Sequence, residues 1–234
     1  MHIEGNLITQ VQLEEIIAMA KPCNLKGARL YGARLYGANL KDANLEGANL
    51  KGVNLCGANL KGARLYGANL KDAYLEGANL KAANLAGANL KDAYLEGANL
   101  TGANLEGANL EGANLEGANL CAAYLKGANL AGVNLKDANL EGANLEGAYL
   151  YGAYLEGAKG IMSLSIPGMS SRGDILFAVN HVGCLMVKFG YFYGDREEFE
   201  QHVQNKYGTT SEQGILYAGV IQLLHVWEKL APSM

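Results

Sequence analysis

Leucine stands at every fifth position from Leu25 to Leu155, 27 in succession without a gap. Two residues before each leucine stands Ala, replaced only by Cys23, Val53 and Val133. Asn usually precedes the leucine directly, and Gly follows it by two in 21 of the 27 quintets. A fixed short period calls for a repeat architecture. Arithmetic excludes both regular structures. A helix turns about 100° per residue, so leucines five apart spiral around it and share no face. In a straight strand side chains alternate, so an odd step puts successive leucines on opposite faces. The remaining solution is a short extended segment that bends once per quintet. Ala and Leu are two apart and point the same way, and a bend near Gly turns the next pair inward as well. Bends of about 90° close a square coil after four quintets, or about 20 residues. The decapeptide KDAYLEGANL occurs at Lys71–Leu80 and again at Lys91–Leu100, one such coil apart.

Coils stacked like neighbouring strands lie about 4.8 Å apart, which predicts about seven coils and a rod on the order of 32 Å long. Burying each Leu contributes about 1.5–3 kcal/mol. Ordering each residue costs about 1.5 kcal/mol. A single coil is therefore not expected to fold, and stability must come from stacking.

The frame A-(D/N)-L-x-x, held from Cys23 to Gly157, resembles the pentapeptide repeat family. The resemblance implies a right-handed quadrilateral β-helix, with the central Leu and the residue two before it facing inward. It does not settle function, because one fold hosts many. Some members resemble duplex DNA in size and charge, bind bacterial gyrase and protect it from quinolones. Such mimicry needs a strongly negative rod. Here the repeats carry 12 Lys and Arg against 13 Asp and Glu, and no loop interrupts them.

The open ends of a stacked coil need covers. Residues 1–22 are expected to form an N-terminal capping helix. Thr9 and Gln12 fit a capping box, and Leu13, Ile16, Ile17 and Ala20 fall on one face of a helix that Pro22 stops. The repeats then span 23–158. From 159 to 234 the period is absent, and the segment reads as a small α+β cap or interaction module. Pro167-Gly168 and Ser170-Ser171 mark a linker or turn. Asp174–Asn180 and Cys184–Tyr193 form a hairpin around His181-Val182-Gly183. Asp195 and Glu198 start a helix that Gly208 ends, and Ser211 caps a last helix to about Leu230. This is a ββαα order. It resembles tails carried by pentapeptide repeat proteins of bacteria and phages. The module is expected to act as a lid, to dimerise the protein, or to bind a partner, with Trp227 and the aromatic run Phe189, Tyr191, Phe192 and Tyr193 supplying either its core or an interface.

Four quintets per coil sort the outward residues into ladders. Lys51, Lys71 and Lys91 share one side, and Lys41, Lys61 and Lys81 the opposite one. Glu76, Glu96 and Glu116 lie between them. Like charges at this spacing repel, and Asp72 and Asp92 are expected to offset part of it. Asn39, Asn59, Asn79, Asn99, Asn119 and Asn139 form an amide ladder, expected to bond along the rod. Arg34, Tyr74, Tyr94 and Tyr154 share another ladder, where stacked rings suit an aromatic or sugar ligand or simple packing. The candidate interaction surface is Arg34, Tyr74, Tyr94, Tyr154, Lys51, Lys71, Lys91 and Trp227.

Composition narrows the function classes. The net charge of −4 over 234 residues makes no strong electrostatic commitment, and no apolar run is long enough to span a membrane. The start of the chain lacks the pattern of a signal peptide. Cys23, Cys56, Cys121 and Cys184 are far apart and have no metal-ligand or disulfide spacing, which fits reduced thiols in the cytoplasm. His2, His181, His202 and His225 show no paired spacing. Arg172-Gly173-Asp174 matches an adhesion tripeptide that chance supplies often. No catalytic set, metal site or cofactor is expected, and no basic patch calls for nucleic acid. The expected function is a non-enzymatic scaffold or protein–protein interaction module. The alternatives are a DNA-mimicking regulator of gyrase and an unrecognised activity in the C-terminal module.

Overall fold

The computed structural model describes residues 10–19, 22–145, 148–150, 152–165, 175–181, 184–189, 192–208, 210–211 and 221. It divides into two compact units, Met1–Lys159 and Gly160–Met234.

In the first unit every quintet makes one extended pair and one tight turn. The amide of each Ala after the turn donates to the carbonyl of the Leu before it, as Ala103 does to Leu100 at 2.9 Å. The left-handed conformation occurs at the third residue of these turns and not at the second. That is the type II turn, and it explains the preference for Gly there. The residue before each Leu pairs in parallel with the residue 20 positions on, from Asn24↔Asn44 to Asn139↔Lys159. The coil is thus 20 residues, as the period predicts.

The quintet Ala98–Gly102 shows why the frame is so strict. Asn99 N–H donates to Ala78 O of the preceding coil at 2.9 Å, and Leu100 N–H to Asn119 O of the next at 2.7 Å. Gly102 N–H donates to Cys121 O at 2.9 Å, and Ala98 N–H closes its turn on Leu95 O at 3.0 Å. The remaining amide, Thr101 N–H, finds the side chain of its own Asn99, whose Oδ1 accepts at 3.1 Å. All five donors of the quintet are satisfied. The Asn is there chiefly for this local bond, which recurs along the rod at Lys41, Lys51, Glu106 and Glu141. Bonds between amides one coil apart exist but are fewer, at 3.0 Å for Asn134 to Asn114 and 3.4 Å for Asn59 to Asn39. The expected bonding along the ladder is thus present, but the local bond is the more frequent one. An Asx-type bond to a nearby amide costs little order, because its partners are already neighbours in sequence.

Every Leu from Leu25 to Leu155 is buried. Helix α1, Gln10–Met19, buries Leu13, while Ile16 and Ile17 are half-buried. Thr9, Ala20 and Lys21 lie outside the described residues. In the first coil Cys23, Leu25 and Ala28 are buried, but Ala33 and Ala38 are only half-buried. The end of the rod is therefore covered on one side more than on the other.

The second unit contains strands β1 (Ile161–Ser165), β2 (Ile175–His181), β3 (Cys184–Phe189) and β4 (Phe192–Asp195), then helix α2 (Arg196–Tyr207). The strands form one antiparallel sheet in chain order. The expected hairpin is β2–β3, with His181 opposite Cys184. Two strands rather than four were legible, and that is a correction. The alternating stretch Ile161–Ser165 is too short to stand out beside the end of the repeats. The second expected strand is in fact two, because the chain turns back between Phe189 and Phe192. α2 follows Asp195 directly, buries Phe199 and Val203 four residues apart, and ends at Gly208 with φ +66°. The last expected helix, with Trp227, lies outside the described residues apart from Ser211 and Ile221.

Three substitutions test this geometry. Leu90 is fully buried, so Leu90→Lys should abolish the cooperative thermal transition by forcing a charge into a dry interior. Asn89→Lys should melt within about 1.5 kcal/mol of the parent, losing mainly one local hydrogen bond. Ala82 holds a left-handed φ of 55° without glycine's freedom. Left-handed backbone costs about 1–2 kcal/mol, against about 0.5–1 kcal/mol for glycine's extra entropy. Ala82→Gly should therefore stabilise the rod by about 0.5–1 kcal/mol in urea unfolding.

Candidate interaction surface

The residues before and after Leu project outward, so most of the rod's surface chemistry is written in those two positions, with Asp42, Asp72, Asp92 and Asp137 adding charge at the turn position. The bridges place Arg34, Tyr74, Tyr94 and Tyr154 on a single ladder, with Asn54, Asn114 and Asn134 in the same column. Tyr74 and Tyr94 stack with ring centroids 5.1 Å apart and planes 5° from parallel. Both are exposed, and Tyr154 more so, at 67%. The repeated decapeptide is the cause: copies one coil apart lie directly over each other. Asp72 and Asp92 flank the rings on one side, and Glu76 and Glu96 on the other. Lys71 and Lys91 adjoin the aspartates, so the aromatic pair is bordered by mixed charge on one side and by carboxylates on the other.

The acidic column beside it is internally tied. Glu96 Oε1 accepts from Asn114 Nδ2, and Glu116 Oε2 accepts from Asn134 Nδ2 at 3.2 Å. Cys56 Sγ donates to Glu76 Oε2 at 2.9 Å. Burial, followed by the Glu76 carboxylate, pushes the Cys56 thiol up to about 11. Cys23 is raised as well, by burial inside the first coil. Glu96 Oε2 is buried and accepts no hydrogen bond.

The lysine column is not the bare stripe that spacing suggests. Lys51 Nζ lies 4.0 Å from Asp72, and Lys91 Nζ 2.8 Å from Glu111, each in the following coil. The Glu111 carboxylate holds Lys91 above the usual lysine range. Asp72 thus partly offsets the charge of Lys51 in the coil below, across an exposed contact. A second cluster joins Lys26 and Arg64 to Glu46. Partial burial would raise the Glu46 carboxyl, but its bonds to Arg64 and Lys26 outweigh this and hold it below the usual range.

Charge is also uneven along the rod, which the net value conceals. Residues 23–82 carry nine Lys and Arg against four Asp and Glu, whereas residues 83–157 carry three against nine. Among the described residues no group of His, Cys, Asp and Glu is placed to hold a metal ion. Among them, too, no helix is long and apolar enough to cross a membrane.

A family model for pentapeptide repeats matches the chain in overlapping segments that together span residues 23–159. The chain belongs to the pentapeptide repeat family. Among solved structures it is similar to HetL of the cyanobacterium Nostoc sp. strain PCC 7120, a pentapeptide repeat protein involved in heterocyst differentiation regulation. That match has 33% identity and a TM-score of 0.40, and covers 59% of this chain and 77% of HetL. It is also similar to a pentapeptide repeat protein of the Arabidopsis thaliana thylakoid lumen, with 38% identity and a TM-score of 0.39. There the match covers 40% of this chain and 65% of the other, just under two thirds. A third match is trypsin-treated QnrB1, a plasmid-mediated fluoroquinolone resistance protein. Its identity is 22% and its TM-score 0.42, with coverage of 58% of this chain and 71% of that one. No curated protein matches the chain by sequence.

The thiol offers a direct test of the surface geometry. At pH 8 Cys56 should resist iodoacetamide, since little of a thiol raised to about 11 is ionised. Glu76→Gln removes the charge that opposes the thiolate, so alkylation of Cys56, followed by peptide mass spectrometry, should become several-fold faster.

Proposed function

We propose that this protein is a non-enzymatic scaffold whose rod displays a protein-binding surface centred on Tyr74 and Tyr94. The observation that carries the reading is the exposed ring pair, which the fold does not require. Asn at either position would satisfy one more backbone amide, as it does at most other quintets. A surface that gives up that bond for an exposed aromatic pair is spending stability on display. Arg34 and Tyr154 extend the ladder, and Lys51, Lys71 and Lys91 lie beside it. Tyr at an interface combines apolar area with a polar tip and few rotors to immobilise.

The finer features belong to the same reading. We take the rod to be a right-handed quadrilateral β-helix of about seven coils in a cytoplasmic protein of bacteria or phage. The domain limits are 1–22, 23–158 and 159–234. We take the C-terminal segment as a cap or interaction module, with Trp227 in its core or contact surface. DNA mimicry toward gyrase is the weaker reading. The first three coils are basic, with Lys26, Arg29, Arg34 and Lys41 on the first coil alone, so no acidic face runs the length of the rod.

Affinity capture with the full-length protein, compared between the parent and the double variant Tyr74→Ser, Tyr94→Ser, tests the proposal. Both forms should melt alike. The expected result is loss of specific binders from the variant. An unchanged set of captured proteins would remove the tyrosine face from the reading, and turnover by the purified chain would remove the non-enzymatic part.

A further inference from the structure

The asparagine face, a quarter-turn from the tyrosines, carries a second message. Its central column runs Asn39, Asn59, Asn79, Asn99, Asn119 and Asn139 before reaching Lys159. The other three faces are interrupted by Arg or Tyr along that stretch, at Arg64 and Tyr124, at Arg29 and Tyr149, or at Arg34, Tyr74, Tyr94 and Tyr154. This face therefore carries the longest unbroken run of asparagines on the rod. Its Oδ1 atoms serve the backbone, and Asn59 also donates along the column to Asn39 at 3.4 Å.

The two corners bordering this face differ in charge, and they differ in a matched way. One corner runs Lys41, Lys61, Lys81, Thr101, Cys121 and Glu141, stacked through the amides of Asp42, Gly62, Ala82, Gly102 and Ala122. The other runs Tyr36, Cys56, Glu76, Glu96, Glu116 and Lys136, joined in the same way. Level by level, Lys81 stands across from Glu76 and Glu141 from Lys136. Lys41 stands across from Tyr36, Thr101 from Glu96 and Cys121 from Glu116. No level sets like charges against each other. Among the described residues no ion pair engages Lys61, Lys81, Lys136 or Glu141.

We propose that the asparagine face binds a second copy of this chain, with the rods side by side and parallel. A two-fold axis along the rod exchanges the two corners. It brings Lys81 of each copy against Glu76 of the other, and Glu141 against Lys136, with asparagines meeting asparagines between them. Each such contact occurs twice, as an isologous interface demands. Inverting one copy instead would set Glu76 against Glu96 at the centre of the acidic corner. The uneven charge of the whole rod favours the inverted arrangement at long range, but at physiological ionic strength charges more than about 8 Å apart are screened. The corner pairs in contact therefore decide the orientation. The proposal goes beyond the tyrosine surface and does not depend on it, since it concerns the purified chain alone.

Sedimentation velocity on the full chain, from 1 to 100 μM in about 0.15 M salt, tests it. The parent should show a concentration-dependent dimer. Lys81→Glu and Glu76→Lys should each weaken the dimer about tenfold or more, since each places like charges in contact. The two together should restore it to near the parent value, with circular dichroism confirming an unchanged fold in all four proteins. Carbodiimide cross-linking of mixed isotopically labelled and unlabelled parent should join Lys81 to Glu76 between copies. A parent that stays monomeric to 100 μM overturns the proposal. A dimer indifferent to either single change overturns it too, because the contact then lies elsewhere. Single variants that weaken without rescue, or cross-links joining Lys41 to Glu141, overturn the parallel arrangement.

Discussion

Satisfaction of the backbone amides governs this structure. A coil of extended pairs and tight turns would leave one N–H in five without a partner, that of the residue after Leu. Asn supplies it from the side, through an Oδ1 two residues back, and the other four amides are met by the turn and by the coils above and below. Since an unmet amide in a packed wall costs more than a made bond gains, each quintet is under the same pressure. The repeat is therefore copied as a set. Small Ala and large Leu fill the interior, Gly takes the left-handed turn position, and Asn closes the account of donors.

That constraint also says where variation is permitted. The interior positions and the turn glycine have their roles fixed by sterics, whereas the position before Leu gives up only a local hydrogen bond when it changes. Arg29, Arg34, Arg64 and the tyrosines Tyr74, Tyr94, Tyr124, Tyr149 and Tyr154 all stand there. The position after Leu gives up nothing, and it holds most of the charge. Membership of the pentapeptide repeat family thus describes the three positions that make the rod and says little about the two that face a partner. This is the physical reason a firm fold assignment leaves function open.

The sequence conveyed the rod because its signal is geometric: a step of five admits few solutions, and the 20-residue coil follows from right-angle turns. The outward ladders were legible for the same reason, and the stacking of Tyr74 on Tyr94 was implied by the duplicated decapeptide. What was not legible depended on how side chains reach across coils. Asp72 was expected to offset part of the lysine ladder's repulsion, and it does so through Lys51 of the coil below, a partner that adjacency in sequence does not reveal. The amide ladder drew attention away from the local bond of each Asn, which is invisible to a reading by columns. Beyond Gly160 the period vanishes, and short strands such as Ile161–Ser165 carry too few residues for alternation to register. Gly190 was the one available sign that the aromatic stretch turns back on itself between β3 and β4.

Stacking at a single fixed interval turns each choice of residue into a choice about its neighbours. A residue repeated 20 positions on meets its own copy at the distance of paired strands, so aromatic rings gain from repetition and charges lose by it. The rod responds in both senses. Its tyrosines are repeated where they can stack, and several of its lysine and glutamate columns are relieved by opposite charge one coil away, as at Lys26–Glu46 and Lys91–Glu111. Where a charged column is left unrelieved, as from Lys61 to Lys81, the repulsion remains within the chain, and any partner of opposite sign lowers it. The corners of the asparagine face combine such a column with a complementary one at the same levels. The fold's own periodicity thereby converts a local electrostatic cost into a preference for company.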